Sequence, residues 1–150
     1  MAGETIHACA VVIGADGVLI RGPSGAGKST LAARLIAEAA RNGTFARLVA
    51  DDRVELDARN GRVVARVPET IAGYAEVRGR GILPTTCEPA AVVRLVVDII
   101  PVDALQRMPE TGDFAAEIAG VSLARQPVSG CGAEALALIG HALRDNRPVL

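Results

Sequence analysis

The chain has 150 residues, half of them hydrophobic but only 2% aromatic, and its 16 basic and 17 acidic side chains leave a formal net charge of −1. This length suits one domain over residues 1–150 with an aliphatic core. The charge balance gives no indication of a nucleic-acid or membrane partner. Three cysteines without C-x-x-C spacing predict reduced thiols in a cytoplasmic protein and argue against a disulfide scaffold or a zinc site.

The amino-terminal part of the chain is predicted to form a hairpin followed by a helix. One strand is expected over Thr5–Gly14 and a second over Val18–Arg21, with a turn at Ala15–Gly17 between them. The helix is expected after residue 30, and Asn42-Gly43 is typical of its end. Its apolar face is formed, at helical spacing, by Leu31, Leu35, Ile36 and Ala39.

The rest of the chain is predicted to contain further strands and one closing helix. Asn60-Gly61 is a strong hairpin-turn signal, and Ala91–Ile100, the most β-branched run, predicts a central strand buried on both faces. His7 is expected to be half-buried on its strand and His141 to lie at the surface. The other predicted elements are strands over Arg47–Ala50, Val54–Asp57, Arg62–Val67, Ala75–Arg78 and Ala116–Ala124, irregular segments over Pro68–Gly73 and 101–114, and a helix over Cys131–Arg144.

The segment Gly22–Thr30 (GPSGAGKST) matches the Walker A phosphate loop G-x-x-x-x-G-K-[ST] and lies between a predicted strand and a predicted helix, as such a loop requires. Its glycines let backbone N–H groups turn toward a phosphate. Lys28 would reach the β- and γ-phosphates of ATP, and Ser29 would bind Mg²⁺. The predicted nucleotide-binding residues are Gly22, Pro23, Ser24, Gly25, Ala26, Gly27, Lys28, Ser29 and Thr30.

Acidic residues occur at two further places along the chain. Asp51-Asp52 follows a short apolar strand, where one carboxylate can support Mg²⁺ and the other can accept a proton from an attacking hydroxyl. The alternative is a plain turn that opens before Arg53. The segment Glu76–Gly81 (EVRGRG) adds a third acid and two arginines, which either stabilise a transferring phosphate or form a solvated turn.

In this order the motifs resemble the catalytic C-terminal domain of the HPr kinase/phosphorylase family, in a short single-domain form. The family pattern has a Val-His-Gly strand, G-x-S-G-x-G-K-S, Leu-Val-Ala-Asp-Asp and Glu-Ile-Arg-Gly-x-Gly-Ile. The matching segments are Ile6–Ala8, Gly22–Ser29, Leu48–Asp52 and Glu76–Ile82, within a resemblance that runs from His7 to Val102. It implies an α/β phosphate-loop fold similar to that of phosphoenolpyruvate carboxykinase, with a central mixed sheet and extra β-hairpins.

The resemblance implies an ATP- and Mg²⁺-dependent serine kinase that acts on an HPr-like phosphocarrier protein of the phosphotransferase system. Lys28 and its loop would hold the β-phosphate, and Asp52 would be the general base for the protein serine and the general acid in reverse. The metal ligands would be Ser29 and Glu76, beside Asp51. Further catalytic residues would be His7, Arg78 and, by a match to an Asp-Arg-Leu-Gly motif, Arg107.

The chain departs from the family pattern at three places. Six residues precede His7, Thr30 replaces a glutamate, and Gln126–Gly132 has no Arg or Lys where the family has Pro-Val-Arg-Pro-Gly-Arg-Asn. Kinase activity is therefore the expectation, with weak phosphorylase activity. The alternatives are a small-molecule kinase, although the arginine-rich lid typical of such enzymes is missing, and a non-catalytic ATP-sensing module. Whether the chain forms a homo-oligomer stays open.

Overall fold

The structure, a computed structural model, describes residues 3–68, 74–77, 79–84, 87–105 and 110–145. Within these residues the chain forms strands, two α-helices and two short 3-10 turns over Val102–Ala104 and Thr111–Phe114. The helices are α1 (Lys28–Arg41) and α2 (Ala133–Asp145). The strands are β1 (Glu4–His7), β2 (Cys9–Ile13), β3 (Asp16–Arg21), β4 (Ala46–Ala50), β5 (Arg53–Arg59), β6 (Arg62–Arg66), β7 (Tyr74–Val77), β8 (Gly81–Pro84), β9 (Ala90–Ile99), β10 (Ala115–Ile118) and β11 (Val121–Val128).

Strand β9 is the centre of a nine-stranded mixed sheet, as its continuous apolar run predicts. It pairs in parallel with β3 on one side and with β11 on the other. Strand β2 lies antiparallel between β3 and β4, so β4 runs in the same direction as β3. The carboxyl ends of β4, β3, β9 and β11 therefore lie along one edge of the sheet.

The sheet curls over itself because the amino-terminal end of β9 has a different neighbour. There β6 pairs antiparallel with Ala90–Val92 and continues the sheet through β5 to β1. One face of the parallel strands packs against α1 and α2 in a cluster that includes Leu31, Leu95 and Ile139. The other face packs against β5 and β6 in a cluster that includes Val54 and Val96. The central strands are thus covered on both faces.

Two predicted strands are wrong in the same way, since each proves to be two strands. Thr5–Gly14 breaks at Ala8, whose N–H donates to the carbonyl of Asp52 at 3.1 Å, and β1 pairs with β5 whereas β2 pairs with β3. Ala116–Ala124 turns at Ala119-Gly120, where φ is 50° and 81°. Positive φ at both central residues matches the twist of a tight hairpin, so β10 and β11 pair antiparallel.

Other turn predictions are confirmed or need a small shift. Asn60-Gly61 forms the β5–β6 turn with φ of 53° and 74°, and α1 ends at Arg41 with Asn42 as its C-cap residue. The first hairpin turns at residues 14–15, one residue earlier than predicted, because β3 already begins at Asp16. Strand β8 was not predicted from its glycine-rich start, and α2 begins at Ala133, two residues later than expected. The predicted loop at 69–73 and Arg78 lie outside the described residues.

The described residues contain no helix with the length and apolar character needed to cross a lipid bilayer.

Candidate active site

Chemically useful residues gather where the four parallel strands end. Strand β3 runs into the glycine-rich segment, β4 into Asp51-Asp52, and β11 into residues 129–132 before α2. Because β2 runs in the opposite direction, its first residues and the preceding His7 reach the same edge. Ligands of open α/β sheets bind at such an edge, beyond the carboxyl ends of the strands.

The segment after β3 has the backbone geometry of a phosphate loop. Gly25 and Gly27 have φ of 81° and 101°, a left-handed conformation that residues with a side chain rarely adopt. Gly27 caps α1 without a side-chain hydrogen bond, and the carbonyl of Gly27 accepts from the N–H of Leu31 at 2.8 Å. The first N–H groups of α1 therefore have no partner within the helix, which suits an anion.

Lys28 holds its ammonium group inside the same loop. Its Nζ donates to the carbonyl of Gly22 at 2.8 Å and to that of Pro23 at 3.2 Å. The loop thus encloses one positive charge beside the helix amino terminus. A phosphate group placed there would meet both the ammonium and the backbone N–H groups.

Both ends of the loop lie tightly against neighbouring elements. A Cβ atom on Gly22 would lie 3.2 Å from the Cβ of Ile99 at the end of β9. One on Gly27 would lie 3.4 Å from the Sγ of Cys131. Glycine is thus favoured at Gly22 by this close approach and at Gly27 mainly by its positive φ.

A hydroxyl and a carboxylate converge at the start of α1. The Oγ of Ser29 donates to Oδ1 of Asp51 at 2.7 Å, and the thiol of Cys9 donates to the same oxygen at 3.2 Å. Oxygen ligands of this kind are those that Mg²⁺ prefers, usually together with phosphate and water oxygens. Among the described residues no cluster of three or more His, Cys, Asp or Glu side chains could hold a metal. Ser29 and Asp51 together offer two oxygen ligands of this kind.

Asp52 and His7 form an exposed pair beside this cluster. The Nδ1 of His7 lies 4.0 Å from Oδ1 of Asp52, and the two side chains are 75% and 77% exposed. The prediction that His7 is half-buried is therefore wrong, since β1 lies at the end of the strand order. Asp52 has a φ of 74°, which is uncommon for a residue with a side chain and concentrates at functional sites. Its carboxylate is accessible to a hydroxyl on a second protein.

Comparison with known proteins identifies the family. The family model described as the HPr Serine kinase C-terminal domain matches residues 1–123. The chain belongs to this family. Its curated relatives include the HPr kinase/phosphorylase of Clostridium beijerinckii, 39% identical over 87 residues, which are 57% of this chain and 27% of the relative. That of Clostridium perfringens is 42% identical over 84 residues, 55% of this chain and 25% of the relative.

The chain spans about a quarter of the length of these curated relatives. A solved structure of the Hpr(Ser) kinase/phosphatase from Coxiella burnetii is similar with a TM-score of 0.75 and 24% sequence identity. The match covers 96% of this chain and 90% of that one. It confirms the predicted fold class, an α/β fold of the HPr kinase type with a mixed sheet and added hairpins.

The structure locates only part of the predicted site. It brings Lys28, Ser29, Asp51, Asp52 and His7 to one edge of the sheet. Glu76 belongs to β7, but its side chain is outside the described part, and the same holds for all of Arg78 and Arg107. His141 is exposed on α2, as predicted, with its Nδ1 3.1 Å from Nη2 of Arg144.

Sequence reasoning missed one charged cluster in this domain. Asp98 accepts hydrogen bonds from Nε and Nη2 of Arg21 at 2.8 and 2.9 Å, and from Nε of Arg125 at 2.6 Å. Burial raises the pKa of Asp98, but the hydrogen bonds from the two arginines outweigh burial and lower that pKa below its ordinary value. An aspartate within an apolar central strand was the available signal, because such a charge needs a partner.

The thiol of Cys9 is expected to react slowly with alkylating reagents. It is buried, and burial is the main cause that raises the pKa of its thiol to about 11, so the reactive thiolate is scarce near neutral pH. We expect Cys131, which is partly exposed, to react with iodoacetamide before Cys9 at about pH 8. Peptide mass spectrometry of the native and the denatured protein measures both rates. Equal native labelling of the two thiols would contradict the packing described for Cys9.

Proposed function

We propose that this chain is an ATP- and Mg²⁺-dependent protein serine kinase of the cytoplasm that acts on an HPr-like phosphocarrier protein of the phosphotransferase system. The observation that carries the proposal is the convergence, at one sheet edge, of the phosphate loop, the Ser29–Asp51 pair and the exposed Asp52–His7 pair. Family membership supports the same activity, since the curated relatives are named HPr kinase/phosphorylase.

The loop would bind the nucleotide through its phosphates. Lys28 donates to two loop carbonyls, so its ammonium is held where a β-phosphate oxygen could accept from it. The free N–H groups at the start of α1 would add further donors. Mg²⁺, held by Ser29, Asp51 and Glu76 together with phosphate oxygens, would neutralise part of the charge that develops during transfer.

Asp52 would serve as the general base. Its exposed carboxylate would accept the proton of the attacking serine hydroxyl, whose oxygen forms a bond to the γ-phosphorus while ADP leaves. In the reverse direction protonated Asp52 would return a proton to the serine oxygen. His7, whose Nδ1 lies 4.0 Å from Oδ1 of Asp52, would orient this carboxylate, and the exposure of both side chains would leave room for a protein substrate.

Incubation with γ-labelled ATP, Mg²⁺ and an HPr-like protein from the same genome tests the proposal. The expected result is label on one serine of that protein and none on its Ser→Ala variant. ATP turnover that labels a metabolite instead would favour a small-molecule kinase. ATP binding without any transfer would favour a non-catalytic ATP-sensing module.

We expect phosphorolysis to be much weaker than forward transfer. A second phosphate close to the first needs extra donors or cations, because two phosphates repel each other. Gln126–Gly132 supplies no cation, and the amide of buried Gln126 is used on the carbonyl of Pro127. The adjacent Arg125 already donates to Asp98 and to the carbonyl of Asp113.

Pyrophosphate release from serine-phosphorylated substrate and millimolar inorganic phosphate measures this direction. The matched control is the forward rate of the same preparation under the same Mg²⁺ concentration. Comparable rates in the two directions would show that other arginines, such as Arg78, Arg80 or Arg107, hold the second phosphate.

A further inference from the structure

Asp98 joins three strands at the edge where the phosphate loop begins. Arg21 is the last residue of β3 and directly precedes Gly22, and it lies opposite Asp98 in the parallel register of β3 and β9. Arg125 lies on β11, the other parallel neighbour of β9. The carboxylate receives two hydrogen bonds from Arg21 and one from Arg125, and its side chain is only 15% exposed. One aspartate thus ties β3 to β11 across β9.

The two ends of the phosphate loop contact β9 and the connection that follows β11, and Asp98 links β9 to β11. At its start, Gly22 packs against Ile99, the residue after Asp98. At its end, Gly27 packs against Cys131 in the connection from β11 to α2. Nη1 of Arg34 on α1 donates to the carbonyl of Cys131 at 3.2 Å and fixes that connection against the helix. A change in the relative position of β3, β9 and β11 would therefore reach both ends of the loop.

The loop has a few hydrogen bonds of its own, from Lys28 Nζ to the carbonyls of Gly22 and Pro23 and from the N–H of Ala26 to the carbonyl of Pro23 at 3.0 Å. Its glycines add no side-chain packing and permit many backbone conformations. A set of N–H groups binds phosphate well only when all of them point to one place before the ligand arrives. The ends of β3, β9 and β11 give the loop further support, and the Arg21–Asp98–Arg125 cluster links these three strand ends.

We propose that Asp98 is a positioning residue, which keeps the phosphate loop in its binding shape through its ion pairs with Arg21 and Arg125. The inference rests on the nucleotide binding proposed above and adds a residue to it. Without the carboxylate, two partly buried guanidinium groups would face each other without a counter-charge. Their repulsion would separate the ends of β3 and β11, on which the start and the end of the loop depend.

The variant Asp98→Asn tests the role, with a fluorescent ADP analogue and Mg²⁺ as the probe. We expect its Kd to rise about tenfold, the lower end of the loss seen when groups behind metal ligands are removed. The matched control is Asp57→Asn on β5, because Asp57 is 13% exposed and accepts from Nε of Arg59 at 2.8 Å without touching the loop. Both variants should lower Tm, but only Asp98→Asn should change Kd in the native state at low temperature.

The possible outcomes distinguish failure of the positioning role from failure of the proposed nucleotide binding. If the wild-type chain does not bind the ADP analogue, nucleotide binding and the positioning role both fail. If wild type binds and both variants bind equally well, Asp98 is only structural and the inference is overturned. If Asp98→Asn does not fold, Arg125→Gln replaces it, since the two hydrogen bonds from Arg21 remain; an unchanged Kd in that variant overturns the inference.

A double-mutant cycle supplies the second readout. Because Asp98 is proposed to act through Arg21, the double variant Arg21→Gln/Asp98→Asn should bind the ADP analogue no more weakly than the weaker single variant. Fully additive losses in Kd would show independent effects and contradict the proposed route. In turnover assays the same variants should change KM for ATP more than kcat, whereas partial unfolding would lower the apparent kcat alone.

Discussion

Replacement of Lys28 with alanine is expected to abolish measurable nucleotide binding. Lys28 is the only lysine in the chain, and its ammonium lies within hydrogen-bond distance of two carbonyls of the phosphate loop. Hydrogen bonds to charged groups contribute about 1.5–3 kcal/mol each, so loss of the ammonium contacts proposed with the β- and γ-phosphates should weaken ATP binding by about 100-fold or more. Calorimetric titration with ATP and Mg²⁺ measures the change.

The matched control removes a different cation from the same helix. Arg41 lies in the last turn of α1 and pairs with Glu38, so Arg41→Ala should leave ATP affinity unchanged. The single lysine offers a second test, because an amine-acylating reagent can modify only Lys28 and the chain's amino terminus. ADP should protect Lys28 from acylation. Unchanged affinity in Lys28→Ala, or no protection, would disprove the assignment of the loop.

Asp52→Asn is expected to retain ATP binding but to slow phosphoryl transfer by roughly 10²-fold or more, the range that a general base contributes. Asparagine keeps the size of the side chain and tolerates the left-handed conformation of this position, where φ is 74°, so the backbone should not change. The initial rate of phosphoserine formation on an HPr-like protein, together with the Kd for ATP, separates catalysis from binding.

The neighbouring acids provide the controls for this prediction. Asp51→Asn and Glu76→Gln should change the Mg²⁺ concentration needed for activity rather than the rate at saturating Mg²⁺, because both are proposed metal ligands. His7→Ala should reduce the rate less than Asp52→Asn, since His7 only orients the carboxylate. Equally mild effects of Asp52→Asn and Glu76→Gln on transfer would show that one role is misassigned.

Most of the predicted site rests on sequence patterns between residues that are close along the chain. The phosphate loop could be predicted from the sequence because it depends on short-range features. These are glycines at fixed spacing, a strand before them and an amphipathic helix after them. The Asn60-Gly61 turn and the buried apolar segment of β9 could be predicted for the same reason. The order of four short motifs then indicated the HPr kinase family, which the family match over residues 1–123 confirms.

The strand predictions were wrong where the chain passes from one pairing strand to another without a strong local sequence signal. Nothing near Ala8 distinguishes one long strand from two strands that pair in different parts of the sheet. Ala119-Gly120 is a weak turn signal compared with Asn60-Gly61, because alanine seldom adopts positive φ. In both cases the pairing of strands far apart in sequence, rather than local preference, decides the break.

By itself, the sequence predicts the phosphate loop and the acids after β4 and indicates the family, since each prediction depends on residues that are neighbours along the chain. Only the tertiary structure decided that His7 is exposed beside Asp52, and that Arg21, Asp98 and Arg125 meet beneath the loop. Arg21 and Asp98 are 77 positions apart. Their contact exists because β3, β9 and β11 lie side by side in parallel, and strand order is fixed by packing of the whole sheet rather than by any short stretch of it.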